Sequence, residues 1–178
     1  MSARIVEKTG DLNRGLTLLQ GSTTDDASDR AARALDRKDL IAKMNPDQHA
    51  LLGETMQSHR HYDRATALLT LALKAKYSDD LQFALGRSHF GAEKYAEAEQ
   101  VYVRGSQLTK EPKQQCTFFW HAARAAQLRG DDARAEQLMT QAGAVKGKHP
   151  STLPALTQRM RTRLKQKRVA QAASDLAL

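Results

Sequence analysis

The sequence has a single cysteine, Cys116, so no internal disulfide can form. No N-terminal run is apolar enough for a secretory signal, and no stretch approaches the roughly 20 apolar residues of a membrane span. Together these point to a cytoplasmic protein. With only four prolines and ten glycines in 178 residues, and no alternating β-branched runs, the chain predicts an all-α fold. It also lacks a glycine-rich phosphate loop, an HExxH pair and any Ser, His and Asp set at a recognised spacing, which argues against an enzyme and against a cofactor. The carboxylate pairs Asp25-Asp26, Asp79-Asp80 and Asp131-Asp132 sit at predicted helix starts or turns, where capping explains them. Of the six histidines, His59 and His61 lie two apart while the others fall on different elements, so no metal site is expected.

What the sequence does contain is a repeated pattern, clearest from Leu81 to Leu108. Two amphipathic helical patterns stand there on either side of a tight turn at Gly91–Tyr95. Small residues at Gly86, Ala98 and Gly105 fall where two helices must approach, and Leu85, Tyr95 and Tyr102 supply apolar contacts. Upstream, Leu52-Gly53, Tyr62, Ala65, Leu69 and Ala72 repeat the pattern at an offset of 33 residues. Downstream, Ala122-Ala123, Asp132, Ala135, Met139 and Ala142 repeat it at 37, the extra length being assigned to a loop at Glu111–Gln115. A helical hairpin cannot bury its apolar face alone, so three copies predict a tetratricopeptide superhelix.

The predicted organisation has three parts. Residues 1–44 form an N-terminal segment, mobile over Met1–Asp11, with a helix at about 25–43 capped by Asp25, Asp26 or Ser28. Residues 45–145 hold the repeats, at 46–78, 79–112 and 116–145, the first opened by Asn45-Pro46-Asp47. Residues 146–178 supply a basic capping helix and tail, in which Leu153, Leu156, Met160 and Leu164 recur at helical spacing.

In such a stack the first helix of each pair lines the concave face. Helical spacing from the marker Gly or Ala selects Ala50, Glu54 and Gln57, then Phe83, Arg87 and Phe90, then Trp120, Arg124 and Gln127. These nine residues are expected to form a peptide-binding grid, with Phe83, Phe90 and Trp120 as anchors and the two arginines binding carbonyls or acidic side chains. Phe119 and Trp120 are adjacent and face differently, and periodicity favours Trp120 for the groove. The Lys, Asn and Arg set of a carboxylate-clamp groove is not matched by Ala50, Glu54, Ala84, Thr117 and His121.

The net charge of +8 also has an address. From Lys146 to Arg168 there are eight Lys or Arg and no acidic residue, and Arg159, Arg161, Arg163, Lys165, Lys167 and Arg168 form a basic surface. That segment suits a solvated capping helix, or attraction to nucleic acid, an acidic partner or an anionic surface. It has no aromatic residue to stack on bases, which ranks nucleic acid below protein partners.

The run Thr109-Lys-Glu-Pro112, the preceding Gly105, then Trp120-His-Ala-Ala123, Arg129-Gly130 and Ala133-Arg-Ala135-Glu136 resemble the second-to-third-repeat region of the class II type III secretion chaperones. The resemblance covers about Pro46 to Lys167. It implies a non-enzymatic bacterial chaperone that holds a hydrophobic translocator client by an extended segment and self-associates as a homodimer through its N-terminal helix. A general protein-interaction scaffold is the alternative that the repeats alone support.

Overall fold

A computed structural model of the protein describes residues 12–21, 24–35 and 37–145. Among these, nine helices and no strand are present: α1 Leu12–Gln20, α2 Asp25–Leu35, α3 Lys38–Ile41, α4 Pro46–Ser58, α5 Tyr62–Ala75, α6 Asp79–Gly91, α7 Tyr95–Leu108, α8 Pro112–Leu128 and α9 Asp132–Ala144. The chain divides into two compact units, one up to Ala92 and one from Glu93 onward.

In the first unit, α4 and α5 form an antiparallel hairpin, α6 packs on α5, and α1 lies against α2 and α4. The α4 start is fixed by a capping box: the Gln48 amide N–H donates to Asn45 Oδ1 and the Asn45 N–H donates to Gln48 Oε1, both at 2.9 Å. Pro46 follows at the first helical position, where no N–H is needed. Leu52, Met56, Ala65, Leu69 and Ala72 are almost wholly buried, which places the repeated small and large positions in the core between α4 and α5.

Two features of the N-terminal segment differ from expectation. A helix precedes the expected one: α1 covers Leu12–Gln20, with Leu16 and Leu19 buried. The helix expected over 25–43 is interrupted: α2 ends at Leu35, Arg37 has extended backbone, and α3 is a single turn. Arg37 and Asp39 are paired side chain to side chain at this break. At the other end of α2 the capping hydroxyl belongs to Thr24, which accepts from the Ala27 N–H at 3.3 Å, rather than to Asp25, Asp26 or Ser28.

In the second unit, α8 packs on α7 and on α9. Its buried face is Ala122, Ala123, Ala125 and Ala126, short side chains that let helices approach closely. Gly105 of α7 meets the ring of Phe118: a Cβ there would lie 2.6 Å from it. Tyr102 completes the cluster, its ring centroid 6.4 Å from that of Phe118. The longer third repeat is accommodated in the helix rather than in a loop. Pro112 starts α8, which has 17 residues against 13 in α4 and α6, so Glu111–Gln115 lies mostly inside the first turn, ahead of the expected repeat start at 116.

The turns inside the hairpins share one geometry. Arg60, Glu93 and Gly130 all have positive φ, at 65°, 60° and 87°. At the first and third turns the next residue donates back to the helix, His61 to the Met56 carbonyl and Asp131 to that of Ala126, both at 2.9 Å. Arg60 and Gly130 likewise donate to Gln57 and Gln127, which completes a Schellman motif at each helix end.

Candidate functional site

The first helix of each hairpin carries the residues predicted to bind a peptide. In the first unit Ala50 is half-buried and Glu54 exposed on α4, while α6 presents half-buried Phe83 and Phe90 with exposed Arg87 between them. Gln57 does not belong to this surface. Its side chain is 9% exposed, and its amide donates to the Ala84 carbonyl and, at 2.9 Å, to Ser88 Oγ. A buried amide needs partners of this kind, so Gln57 ties α4 to α6 and is not available to a ligand.

In the second unit the three consecutive aromatics of α8 divide by helical geometry. Phe118 is 1% exposed, whereas Phe119 and Trp120 are both half-buried. The Trp120 ring meets His121 edge-on at 4.6 Å, and His121 lies 5.3 Å from Tyr102, so the indole is braced against the core cluster. One turn on, the exposed Arg124 guanidinium stands 6.0 Å from the Trp120 ring centroid. A cation over an indole face at this range contributes about 0.5–1 kcal/mol at an exposed site. Gln127 is half-buried on the next turn. The face therefore offers an aromatic surface, a fixed cation and an amide, a set suited to backbone carbonyls and acidic side chains.

Two polar clusters have no counterpart in the sequence reading. Glu99 on α7 is 7% exposed and holds two arginines, Arg134 Nε at 2.8 Å and Arg129 Nη2 at 3.0 Å, the latter also 3.1 Å from Asp131. This network joins α7 to the α8–α9 turn. The other cluster is Ser28, Asp29 and His61 in the first unit. Both link residues more than 30 positions apart, so no local spacing signals them. Cys116 is buried, its thiol directed at the Ala142 carbonyl at 3.5 Å.

Among the described residues no group of three or more His, Cys, Asp or Glu is arranged to hold a metal ion, and no helix is long and apolar enough to cross a membrane. The basic residues Arg159, Arg161, Arg163, Lys165, Lys167 and Arg168, the capping helix expected after Val145 and the segment Met1–Asp11 lie outside the described residues.

No family profile matches the sequence, and no curated protein is similar to it. Solved structures are similar in fold. A crystal structure of MamA superposes with a TM-score of 0.64 at 15% identity, covering 99% of this chain and 88% of that one. MamA from Desulfovibrio magneticus RS-1, residue 41 to the end, gives 0.59 at 14% identity, covering 99% and 92%. A putative kinesin light chain of Podosopora anserina with nearly identical TPR-like repeats gives 0.60 at 16% identity, covering 99% and 93%. The chain thus has an all-α fold of the tetratricopeptide-like repeat type.

Proposed function

We propose that the protein is a non-enzymatic interaction module that binds an extended segment of another polypeptide on the first helices of its hairpins. One observation carries this reading: Arg124 stands over the half-buried Trp120 ring on a helix whose opposite side is committed to the core. Phe83 and Arg87 repeat that aromatic-then-arginine order on α6. The recognition residues are then Phe83, Arg87 and Phe90 in the first unit, with Ala50 and Glu54 beside them, and Trp120, Arg124 and Gln127 in the second.

A general scaffold satisfies this reading. The finer proposal is a bacterial, cytoplasmic chaperone that keeps a hydrophobic secreted client soluble, in the manner of the type III translocator chaperones, and self-associates through its N-terminal helices. It is supported by the Lys110-Glu111-Pro112 and Trp120-His121-Ala122-Ala123 pieces. A client that exposes apolar segments aggregates unless they are covered, so the two roles differ in a measurable outcome.

Trp120 is the sole tryptophan, so its emission reports on its own helix. Titration with extended peptides carrying apolar anchors and acidic flanks should shift that emission. Arg124→Ala should weaken binding about fivefold to tenfold, the loss of one exposed charge-assisted contact. Emission unmoved by every such peptide would overturn the assignment. Co-expression with a translocator separates the two roles, because a chaperone rescues the client from inclusion bodies and a scaffold does not.

A further inference from the structure

Histidine rings of the first hairpin make two hydrogen bonds to the N-terminal segment. His49 Nε2 donates to the Ile41 carbonyl at 2.9 Å. His61, in the turn between α4 and α5, meets Ser28 Oγ of α2 through Nε2 at 2.8 Å, and its Nδ1 lies 3.5 Å from Asp29 Oδ1. The His61 side chain is 11% exposed, beside a cleft of about 420 Å³ lined by Arg60, His61, Tyr62, Asp63 and Arg64.

Ser28, His61 and Asp29 have the atom order of a nucleophile relay, but their exposure is inverted. Ser28 is 6% exposed, so no substrate carbonyl reaches its oxygen, while the Asp29 side chain, which such a relay would bury, is 48% exposed. The cluster is placed to hold two elements together. We infer that Ser28, His61 and Asp29 form a pH-responsive clasp that fastens α2 to the first hairpin and loosens on mild acidification.

The charged groups around the ring set the sign. Burial is the largest influence and disfavours the imidazolium. Asp29 opposes it from α2, and is itself drawn toward Arg33 at 3.7 Å, while Arg64 and His59 on the hairpin side reinforce it. The net direction is downward from the ordinary imidazole value. Opening the clasp hydrates the ring, so the open form takes up a proton more readily than the closed one. The clasp is therefore firm above the ordinary range near pH 6.5 and weakens as pH falls below it.

Amide hydrogen exchange on the full chain tests this. Protection of peptides spanning α1 and α2, corrected for intrinsic exchange, should fall between about pH 7.5 and about pH 5.5, by at most about tenfold for one linked proton. Peptides from α8 and α9 should not follow. In His61→Gln, whose amide still reaches Ser28, the drop should vanish; in Ser28→Ala, protection should already be reduced at the higher pH. Equal protection of α2 at both pH values, a fall shared equally by α8 and α9, or a fall that persists in His61→Gln would each overturn the clasp. If His61→Gln does not fold, the first two outcomes on the unmodified chain still decide it.

Discussion

The contact of Gly105 with Phe118 sets how closely α7 approaches α8, and Gly105→Ala puts a number on it. Two effects compete. Alanine is the better helix former by about 1 kcal/mol, and Gly105 sits inside α7, so an unobstructed substitution would stabilise. Against this, the added Cβ would fall 2.6 Å from Phe118 Cε1 and 2.7 Å from Cδ1 and Cζ. The ring cannot yield freely, being 1% exposed and packed against Tyr102, and overfilling such a site costs about 1–3 kcal/mol. Steric cost at least offsets the propensity gain, and the net loss should be about 0–2 kcal/mol. Phe118→Leu removes the ring edge at its own cost of roughly 1–2 kcal/mol. In that background Gly105→Ala should be near neutral or stabilising, giving a coupling of about 1–2 kcal/mol. Urea unfolding followed by Trp120 emission and by far-ultraviolet dichroism measures all four corners of the cycle. A Gly105→Ala protein that is more stable than its parent, or one whose loss is the same in both backgrounds, would refute the packing argument.

Four further outcomes follow from other contacts in the structure. Glu93→Gly should raise stability by about 0.5–1 kcal/mol by relieving a side chain held at φ 60°, and Gly130→Ala should lower it by about 1 kcal/mol for the converse reason, both read from urea midpoints. Glu99→Gln leaves two arginines facing a neutral amide; because Arg129 and Arg134 are each over a third exposed, the loss is about 1–3 kcal/mol, below that of a fully buried pair. An unchanged midpoint would show the network to be decorative. Phe83→Ala with Trp120→Ala should abolish partner capture with helicity intact, and unchanged co-purification of a bound partner would defeat the groove assignment.

The fold was legible because it depends on side-chain size at fixed spacing. Leu52, Gly53, Ala65, Leu69 and Ala72 in the first unit, and Ala122, Ala123, Ala135, Met139 and Ala142 in the second, are all buried where the repeat places them. Other features answered to interactions that spacing does not encode. Gln57 has the register of a groove residue, yet a long amide reaches across to Ser88 of the neighbouring helix. Phe118 has no special place in the repeat, and becomes central only because Gly105 leaves a hollow for its ring. The third repeat gained its extra residues in α8, because Lys113, Gln114 and Gln115 are good helix formers behind a proline that starts the helix. Surface chemistry is the least constrained of all, as structures sharing about 15% identity with this chain keep the fold.

A single helix, α8, shows why stability and recognition are separable here. Successive residues turn by about 100°, so Phe118 and Trp120 lie on nearly opposite sides. One fills the hollow beside Gly105; the other carries Arg124. Trp120→Ala removes a half-buried ring and its contact with His121, and should cost about 1–2 kcal/mol of stability while removing the anchor altogether. Phe118→Leu should do the reverse, lowering the unfolding midpoint yet leaving the affinity of the folded protein within about twofold. Isothermal titration with a bound peptide, run beside urea unfolding of each variant, compares the two effects directly. Were Phe118→Leu to weaken binding as much as Trp120→Ala, recognition would run through the core, and the outward face of α8 would not be where a partner is held.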